Sequence, residues 1–225
     1  MTSNPSVIVF DVNETLSDMA PMGDRFAETG APAALAKLWF AALLRDGFAL
    51  TASGDNRAFA EIGSEALRGL LPGTELNRGL DEAVEHIMSG MTGLGLHPDV
   101  SDGIRALKEA GYRLVTLTNG STQVADRLFA PAGIRDQFEF LLSVQDAPAW
   151  KPAPESYGYA AAACAVPASE MLLVAVHPWD IHGAAKAGLQ TAWINRTGTR
   201  YPAYFTKPDH TVASLTELIG TLSAG

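Results

Sequence analysis

Segments with helical periodicity alternate with short apolar runs along the sequence from His97 onwards. The predicted helices cover residues 100–110, 123–132, 155–164, 181–187 and 215–222, and the predicted strands cover 112–118, 140–143, 171–175 and 191–194. This alternation is typical of a parallel sheet that is covered by helices on both faces and connected by right-handed crossovers. We therefore predict an α/β fold.

The chain before His97 divides into one strand and a long helical segment. The run Val7 to Phe10 is rich in β-branched residues and predicts a buried parallel strand that ends at Asp11. Residues 17–97 show helical periodicity at 33–45, 59–71 and 80–91, with little strand signal. We predict that this segment is a helical cap over the C-terminal edge of the sheet.

Charge and cysteine content limit the function classes. The 225 residues carry 16 basic and 25 acidic side chains, a net charge of -9, without a Lys/Arg cluster, which argues against nucleic acid or an anionic membrane as partner. No apolar window approaches the ~20 residues of a membrane span and the N-terminus lacks signal-peptide features, so we predict a cytoplasmic protein. The single cysteine, Cys164, excludes an internal disulfide and a cysteine metal cluster, and we expect it to be a buried helix residue.

Polar residues follow four of the predicted strands. Asp11 follows the first, Thr118-Asn119-Gly120-Ser121 the second, Lys151 lies in a proline-flanked loop after the third, and Asp180 lies after the fourth. Each has a simpler explanation alone, because aspartates cap helices, Asn-Gly forms turns and most lysines are solvated. Ligands bind at the carboxyl ends of strands in open α/β sheets, so the four together predict one site.

These stretches, in this order and spacing, resemble the haloacid dehalogenase superfamily over nearly the whole chain. Within it the chain looks most similar to the L-2-haloacid dehalogenases (type II). The shared residues are Leu142-Ser143-Val144, Lys151-Pro152, Tyr157, Trp179-Asp180 and Trp193-Ile194-Asn195-Arg196-Thr197-Gly198. The resemblance implies a Rossmann-like core of residues 1–16 and 98–225, a helical cap of residues 17–97 inserted after the first motif, and often a homodimer.

Most members of the superfamily are Mg²⁺-dependent phosphatases, and two of their carboxylates are missing here. The aspartate two residues after the nucleophile is replaced by Asn13, and the one four residues before the last aspartate by Val176. An amide cannot protonate a leaving alkoxide, and a valine cannot bind a cation that prefers oxygen ligands. We therefore expect a hydrolase that needs neither a metal nor another cofactor.

The resemblance implies a two-step reaction on a small anionic substrate, a 2-haloalkanoic acid. Asp11 would displace the halide from C2 and form an aspartyl ester, which water then hydrolyses. Lys151 would keep Asp11 ionised and stabilise the oxyanion of ester hydrolysis. Asp180 would orient Lys151 and activate the water, and Thr15 would hold the nucleophile loop.

The remaining predicted site residues would bind the substrate. Thr118 and the backbone amides near Val12 and Asn13 would receive its carboxylate, Asn119 would donate to the departing halide, and Tyr157 would line the pocket. The full predicted substrate-binding set is Val12, Asn13, Phe40, Thr118, Asn119, Tyr157, His177 and Trp179.

Thr118 stands where the family usually has serine, and three further positions depart from the family's pattern. Phe40 stands where the resemblance implies a cap arginine that binds halide, and we expect the nearby Arg45 to be solvated. Phe40 therefore predicts weak activity on short chloroacids. Ala175 and His177 replace a serine and an asparagine. His177 could activate water, donate to halide when protonated, or serve a structural role.

Two other functions stay open at this point. One is a different hydrolase of the superfamily that keeps the Asp11 nucleophile, including a phosphatase with an unusual metal site. The other is a catalytically idle, ligand-binding member. The complete set Asp11, Thr118, Asn119, Lys151 and Asp180 argues against the idle alternative, because a binding protein has little need of it.

Overall fold

The computed structural model of this protein describes residues 4–223, which form two compact units. One unit contains the described residues up to Ser17 and from Leu96 onwards, and the other contains Asp18–Gly95. The ends of the predicted core ranges, residues 1–3 and 224–225, lie outside the described part.

In chain order the strands are β1 (Val7–Phe10), β2 (Ser17–Asp18), β3 (Gly95–Leu96), β4 (Arg113–Thr118), β5 (Phe138–Ser143), β6 (Met171–Ala175), β7 (Gln190–Ile194) and β8 (His210–Val212). The α-helices are α1 (Met22–Ala27), α2 (Leu35–Ala52), α3 (Phe59–Leu70), α4 (Leu80–Gly90), α5 (Val100–Glu109), α6 (Thr122–Phe129), α7 (Pro154–Cys164), α8 (Pro178–Lys186) and α9 (Leu215–Ser223). Single 3₁₀ turns lie at Met91–Gly93, Arg135–Gln137, Val144–Asp146 and Ala168–Glu170.

A six-stranded parallel sheet organises the first unit. Its strand order is β5-β4-β1-β6-β7-β8, and Phe10 is in register with Thr116 of β4 and Val174 of β6. Counted along the chain, this is the Rossmann order 3-2-1-4-5-6. The direction of winding reverses between β1 and β6, and the ends of these two strands are where a ligand site is expected. The predicted α/β, Rossmann-like fold is confirmed.

The burial of β1 on both sides shows that both faces of the sheet are covered at this strand. Its residues alternate between the faces, and all four are fully inaccessible to solvent. Ile8 and Phe10 join one apolar cluster with side chains of α5, α6 and α9, such as Ile104, Phe129 and Leu215. Burial on both faces explains why the strand reads as a continuous apolar run rather than an alternating pattern.

The second unit consists of α1 to α4. Trp39 of α2 is fully buried and its indole N–H donates to the carbonyl of Gly63 on α3 at 2.9 Å. A Cβ at Gly63 would lie 2.9 Å from a methyl carbon of Leu43, so glycine allows the close approach of α2 and α3. The bounds 17–97 and the interpretation of this segment as a cap stay predictions.

Several element bounds differ from the sequence-based prediction for identifiable reasons. Helix α6 ends at Phe129 rather than 132, because Pro131 lacks the N–H that would continue the helix. Helix α8 begins at Pro178 rather than 181, because proline suits a first helical turn. Strand β5 begins two residues early, at Phe138, and its polar Glu139 pairs with Arg113 of β4 at 2.8 Å.

The edge strand β8 was not predicted. Its sequence, His210-Thr211-Val212, contains a single buried apolar residue, so it gives almost no periodicity signal. Cys164 is buried in α7, as expected. None of the helices within residues 4–223 is long and apolar enough to cross a membrane.

Candidate active site

Asp11 lies directly after β1, at the point where the winding of the sheet reverses. Its backbone N–H donates to the carbonyl of Val174 on β6, which continues the sheet pairing by one residue. Its carboxylate is nearly inaccessible and accepts from the Lys151 ammonium at 2.9 Å and the Thr15 hydroxyl at 2.6 Å. Nδ1 of His177 lies 3.1 Å from the same oxygen as Thr15. The nucleophile predicted from the sequence is therefore held by three side chains.

These neighbours decide the ionisation state of Asp11. Burial alone would raise the pKa of the carboxyl, but the Lys151 charge, then His177 and Thr15, lower that pKa well below its usual value. Asp11 is therefore an anion throughout the neutral pH range. An ionised carboxylate with little water around it is a strong nucleophile.

The Lys151 ammonium links Asp11 to Asp180. Its Nζ atom is completely buried and lies 2.9 Å from an Asp11 oxygen and 2.6 Å from an Asp180 oxygen. Burial would lower the pKa of Lys151, but the two carboxylates together raise it. Lys151 is consequently a permanent cation between two anions, which supports the predicted role of keeping Asp11 ionised.

Asn119 holds the backbone of Lys151 in place. Its side-chain amide donates to the Lys151 carbonyl at 3.1 Å and accepts from the Lys151 N–H at 3.0 Å. The amide thus anchors the lysine loop from the end of β4. Its predicted donation to the departing halide stays a prediction. This anchoring was not predicted, because the two residues are 32 positions apart.

Asp180 lies in the first turn of α8 and is completely buried. One of its carboxylate oxygens accepts from Lys151, and the other accepts from the Tyr157 hydroxyl at 2.6 Å. Burial and the nearby Asp11 charge raise the pKa of Asp180, against the effect of Lys151. Burial and Asp180 also raise the pKa of Tyr157 well above its usual value, so the phenol keeps its proton and donates.

His177, the residue before α8, bridges two carboxylates. Nδ1 faces Asp11, and Nε2 lies 2.8 Å from an oxygen of Glu14. Its ring stacks on Trp179 with centroids 5.0 Å apart, and the Lys151 ammonium lies 5.9 Å from the centre of the Trp179 ring. Burial would lower the pKa of His177, but hydrogen bonds to Asp11 and Glu14 raise it to about 9. The imidazole is therefore protonated at neutral pH.

Glu14 is a site residue that sequence reasoning missed. Its φ angle of 62° lies in the left-handed region that favours glycine, which costs an L-residue roughly 1–2 kcal/mol. His97 contacts its carbonyl oxygen through Nε2 at 2.9 Å, and the Ser17 hydroxyl accepts from its N–H at 3.3 Å. The strained backbone brings the Glu14 carboxylate to His177, and nothing in the local sequence signals this conformation.

Thr15 connects the ends of β1 and β6. Its fully buried hydroxyl donates to Asp11 and accepts from the backbone N–H of Val176 at 3.1 Å. The two loops that diverge at the reversal of the sheet are thus joined through one side chain. This geometry supports the predicted role of Thr15 in holding the nucleophile loop.

Most of the other predicted binding residues lie in the first unit, and Phe40 lies in the second. Thr118 is buried at the end of β4 and its hydroxyl accepts from the Gly120 N–H at 2.9 Å. Val12 and Asn13 are buried next to Asp11. Phe40 belongs to α2 of the helical unit, where its ring packs beside those of Trp39 and Phe59. Their roles in substrate binding stay predictions.

The donor set does not fit a magnesium ion. Asp11 and Asp180 are both engaged by the Lys151 ammonium, and Asn13 and Val176 replace carboxylates that a magnesium site of this superfamily uses. In residues 4–223, no group of three or more His, Cys, Asp or Glu side chains is arranged to hold a metal ion.

A family model described as haloacid dehalogenase-like hydrolase matches residues 5–188. The chain belongs to this family. It is 31% identical to (S)-2-haloacid dehalogenase 4A of Burkholderia cepacia over 222 residues, which cover 97% of this chain and 95% of the relative. The solved L-2-haloacid dehalogenase RSc1362 superposes with a TM-score of 0.90 at 28% identity, covering 98% of this chain and 100% of the other.

A further relative is haloacetate dehalogenase H-2 of Moraxella sp. (strain B), which is 36% identical over 122 residues. That alignment covers 54% of this chain and 54% of the relative, so the chain matches about half the length of this protein. The resemblance to the superfamily and to its L-2-haloacid dehalogenases is confirmed.

Proposed function

We propose that this protein hydrolyses small 2-haloalkanoic acids to 2-hydroxy acids, without a metal ion, through an ester on Asp11. The observation that carries the proposal is the buried Asp11–Lys151–Asp180 arrangement, with Nζ within 2.9 Å of both carboxylates. The names of the relatives support the substrate class, since they include an (S)-2-haloacid dehalogenase and a haloacetate dehalogenase.

The first step is displacement of halide by the Asp11 carboxylate. Halide is a good leaving group, so this step needs an ionised, desolvated and fixed nucleophile rather than an acid. Lys151, Thr15 and His177 supply these conditions, because they lower the pKa of Asp11 and hold its oxygens in place. One Asp11 oxygen bonds to C2 while the carbon–halogen bond breaks and the halide leaves with the electron pair.

The second step is hydrolysis of the ester by water at the Asp11 carboxyl carbon. The tetrahedral intermediate carries an oxyanion next to the position of the Lys151 ammonium, which is buried and therefore stabilises it strongly. Collapse of the intermediate releases the hydroxy acid and restores the Asp11 carboxylate. Asn119 contributes by fixing the backbone of Lys151.

The other sequence-based expectations belong to this proposal. Thr118 and the amides near Val12 and Asn13 receive the substrate carboxylate, and Phe40 replaces the halide-binding arginine. The helical unit of Asp18–Gly95 supports the interpretation of this segment as a cap. A cytoplasmic location and a homodimer are proposed from the sequence and the resemblance alone.

Halide release from fluoro-, chloro- and bromo-2-alkanoic acids, measured with EDTA present, tests this function. We expect wild-type activity to survive EDTA and the Asp11→Asn variant to be inactive. The matched control is Asp126→Asn, which removes an exposed carboxylate that pairs with Arg135 on the surface. Absence of release from every acid, together with Mg²⁺-dependent hydrolysis of phosphate esters, would contradict the proposal and favour the phosphatase alternative.

A further inference from the structure

The shared motif of residues 193–198 spans the end of β7 and the loop that follows it. Asn195 closes this loop, because its side chain accepts from the Thr199 N–H at 3.0 Å and donates to the Thr199 carbonyl at 2.9 Å. Gly198 has a φ of 67°, a left-handed conformation that glycine adopts without a steric cost. The loop conformation places Arg196 next to the loop that follows β1.

The Arg196 guanidinium lies between a carboxylate and the loop that carries the nucleophile. Its Nη1 atom donates to an oxygen of Asp99 at 2.7 Å, and its Nη2 atom donates to the carbonyl of Thr15 at 3.0 Å. The side chains of Arg196 and Asp99 are both largely buried. The guanidinium therefore links the backbone of Thr15 to a fixed negative charge.

Asp99 anchors the other end of this link. It directly precedes α5, and its second carboxylate oxygen accepts from the N–H of Leu215, the first residue of α9, at 2.7 Å. Burial would raise the pKa of Asp99, but the Leu215 N–H and Arg196 lower it. A Cβ at Gly103 of α5 would lie 2.5 Å from the Leu215 Cβ, so the two helices pack closely at this point. The link is thus anchored at a rigid part of the core.

Three consecutive carbonyl groups of the loop after β1 are held by residues from later in the chain. His97 contacts the carbonyl of Glu14 through Nε2 at 2.9 Å and donates its backbone N–H to the carbonyl of Leu16 at 3.0 Å. Arg196 donates to the carbonyl between them, that of Thr15. A guanidinium is charged at every ordinary pH, and hydrogen bonds from charged donors are stronger than those between neutral groups.

Trp193 holds the same threonine by a second route. Its indole N–H donates to the carbonyl of Val176 at 2.8 Å, and the N–H of Val176 donates to the Thr15 hydroxyl at 3.1 Å. That hydroxyl donates to an oxygen of Asp11 at 2.6 Å. Two residues of one motif therefore hold Thr15, because Arg196 binds its carbonyl and Trp193 binds the residue that contacts its hydroxyl.

We propose that Arg196 is a positioning residue for ester formation. With Asp99 it fixes the backbone of Thr15, and Thr15 in turn fixes the orientation of the Asp11 carboxylate. The proposal rests on the proposed function, because it concerns the attack of Asp11 on a 2-haloacid. Displacement of halide requires the attacking oxygen to lie in line with the carbon–halogen bond, and a misplacement of about 1 Å can cost about 10²-fold in rate.

Single-turnover kinetics of Arg196→Met with racemic 2-bromopropionate test the proposal, with bromide, 2-hydroxypropionate and the mass of the intact protein followed separately. We expect bromide release to slow by about 10–100-fold, because the Asp11 carboxylate is less well oriented. The hydroxy acid should appear in step with bromide and no ester should accumulate, because hydrolysis depends on the Lys151 ammonium. The substrate Kd, taken from the dependence of the rate on enzyme concentration, should change by less than about threefold.

Arg113→Met is the matched control. Arg113 also joins a carboxylate to a carbonyl, since it pairs with Glu139 at 2.8 Å and donates to the carbonyl of Cys164 at 3.0 Å. It is the first residue of β4, at the opposite edge of the sheet from Asp11. Both arginine variants should unfold at lower urea concentration than wild type, but Arg113→Met should release bromide at the wild-type rate.

Two further variants vary the strength of the link. Asp99→Asn keeps an acceptor for the Leu215 N–H but removes the charge that holds Arg196. Arg196→Lys keeps the positive charge but lacks the planar fork that makes both contacts. We expect each to slow bromide release by less than Arg196→Met does, and these two variants carry the test if Arg196→Met does not fold.

A double-mutant cycle with Thr15→Val tests whether Arg196 acts through Thr15. Valine is similarly branched but lacks the hydroxyl that contacts Asp11 and Val176. In the Thr15→Val background, Arg196→Met should slow bromide release by less than about threefold further. If the two residues acted independently, the two factors would multiply.

Three results would overturn the inference although the enzyme is a dehalogenase. They are bromide release by folded Arg196 and Asp99 variants within about threefold of the wild-type rate, accumulation of ester in these variants, and multiplying factors in the cycle with Thr15→Val. Failure of wild type to release bromide would instead overturn the proposed function, and this inference with it.

Discussion

Asp11 is held from two sides that differ in their access to solvent. On one side lies the completely buried network of Lys151, Asp180 and Tyr157, and on the other lie His177 and the half-exposed Glu14. The first network carries a permanent cation, whereas the second carries a cation whose proton has a route to water. Both sides keep the nucleophile ionised, the first with a cation that is charged at every ordinary pH and the second with a cation whose pKa is about 9.

The largest effect on activity and stability is expected from the loss of Lys151 in the buried network. Lys151→Met should reduce kcat by at least about 10³-fold, because the ester oxyanion loses its charged partner. It should also lower the free energy of unfolding by about 3–5 kcal/mol, since two buried carboxylates lose their counter-charge. Halide release and urea unfolding measure the two effects, and Lys186→Met, an exposed lysine on α8, is the control. A near-normal kcat would show that the reaction does not need the Lys151 ammonium.

The contribution of His177 to the free energy of unfolding should depend on pH. The folded-state pKa of His177 is raised to about 9 from an ordinary value near 6.5, so its contribution is complete below about pH 6.5 and is lost as pH rises through about 9. The contribution is up to about 3 kcal/mol. Urea unfolding at pH 6, 8 and 10 should show this loss in wild type. The difference in unfolding free energy between wild type and His177→Asn isolates the contribution of His177. A difference that does not vary with pH would contradict this prediction.

A smaller effect is expected from Tyr157→Phe. The variant keeps the aromatic ring but leaves one buried oxygen of Asp180 without its phenol donor, which should cost about 1–3 kcal/mol of unfolding free energy. Activity should fall less than in Lys151→Met, because the ammonium is still present. Tyr159→Phe, on the same helix, is the control, and equal stability of the two variants would show that the hydrogen bond to Asp180 contributes little.

The smallest effect concerns the strained backbone of the exposed side. Glu14→Gln and Glu14→Gly both remove the charge, but only the glycine variant relieves the left-handed conformation. We expect Glu14→Gly to be more stable than Glu14→Gln by about 1 kcal/mol in thermal unfolding. The reverse order would show that the conformation carries no strain.

Most of the sheet and of the buried side of the site could be predicted from the sequence. The apolar run of β1 and the polar residues that follow each strand placed Asp11, Thr118, Lys151 and Asp180 at one edge, because parallel strands end together. Short elements were missed for a physical reason. Strand β8 has three residues with one buried side chain, which is too little for a periodicity signal.

The sequence predicted only part of the arrangement formed by His177 and Glu14. His177 was recognised as a departure from the family's pattern, but its connection to Glu14 depends on a backbone angle that the sequence does not encode in any local pattern. The two residues are 163 positions apart, so their contact exists only once β1 and β6 are paired. The anchoring of Lys151 by Asn119 escaped prediction for the same reason.

The order of the site residues along the chain has a consequence for synthesis. Asp11 and β1 leave the ribosome early, whereas Lys151 follows 140 residues later, roughly 7–28 s at ordinary rates of translation. During that interval the most apolar strand of the sheet has neither its β6 neighbour nor the charges that surround its carboxyl end. Until β6 has emerged, one edge of β1 therefore exposes unpaired backbone groups, and the Asp11–Lys151–Asp180 site cannot assemble before about residue 180 has been synthesised.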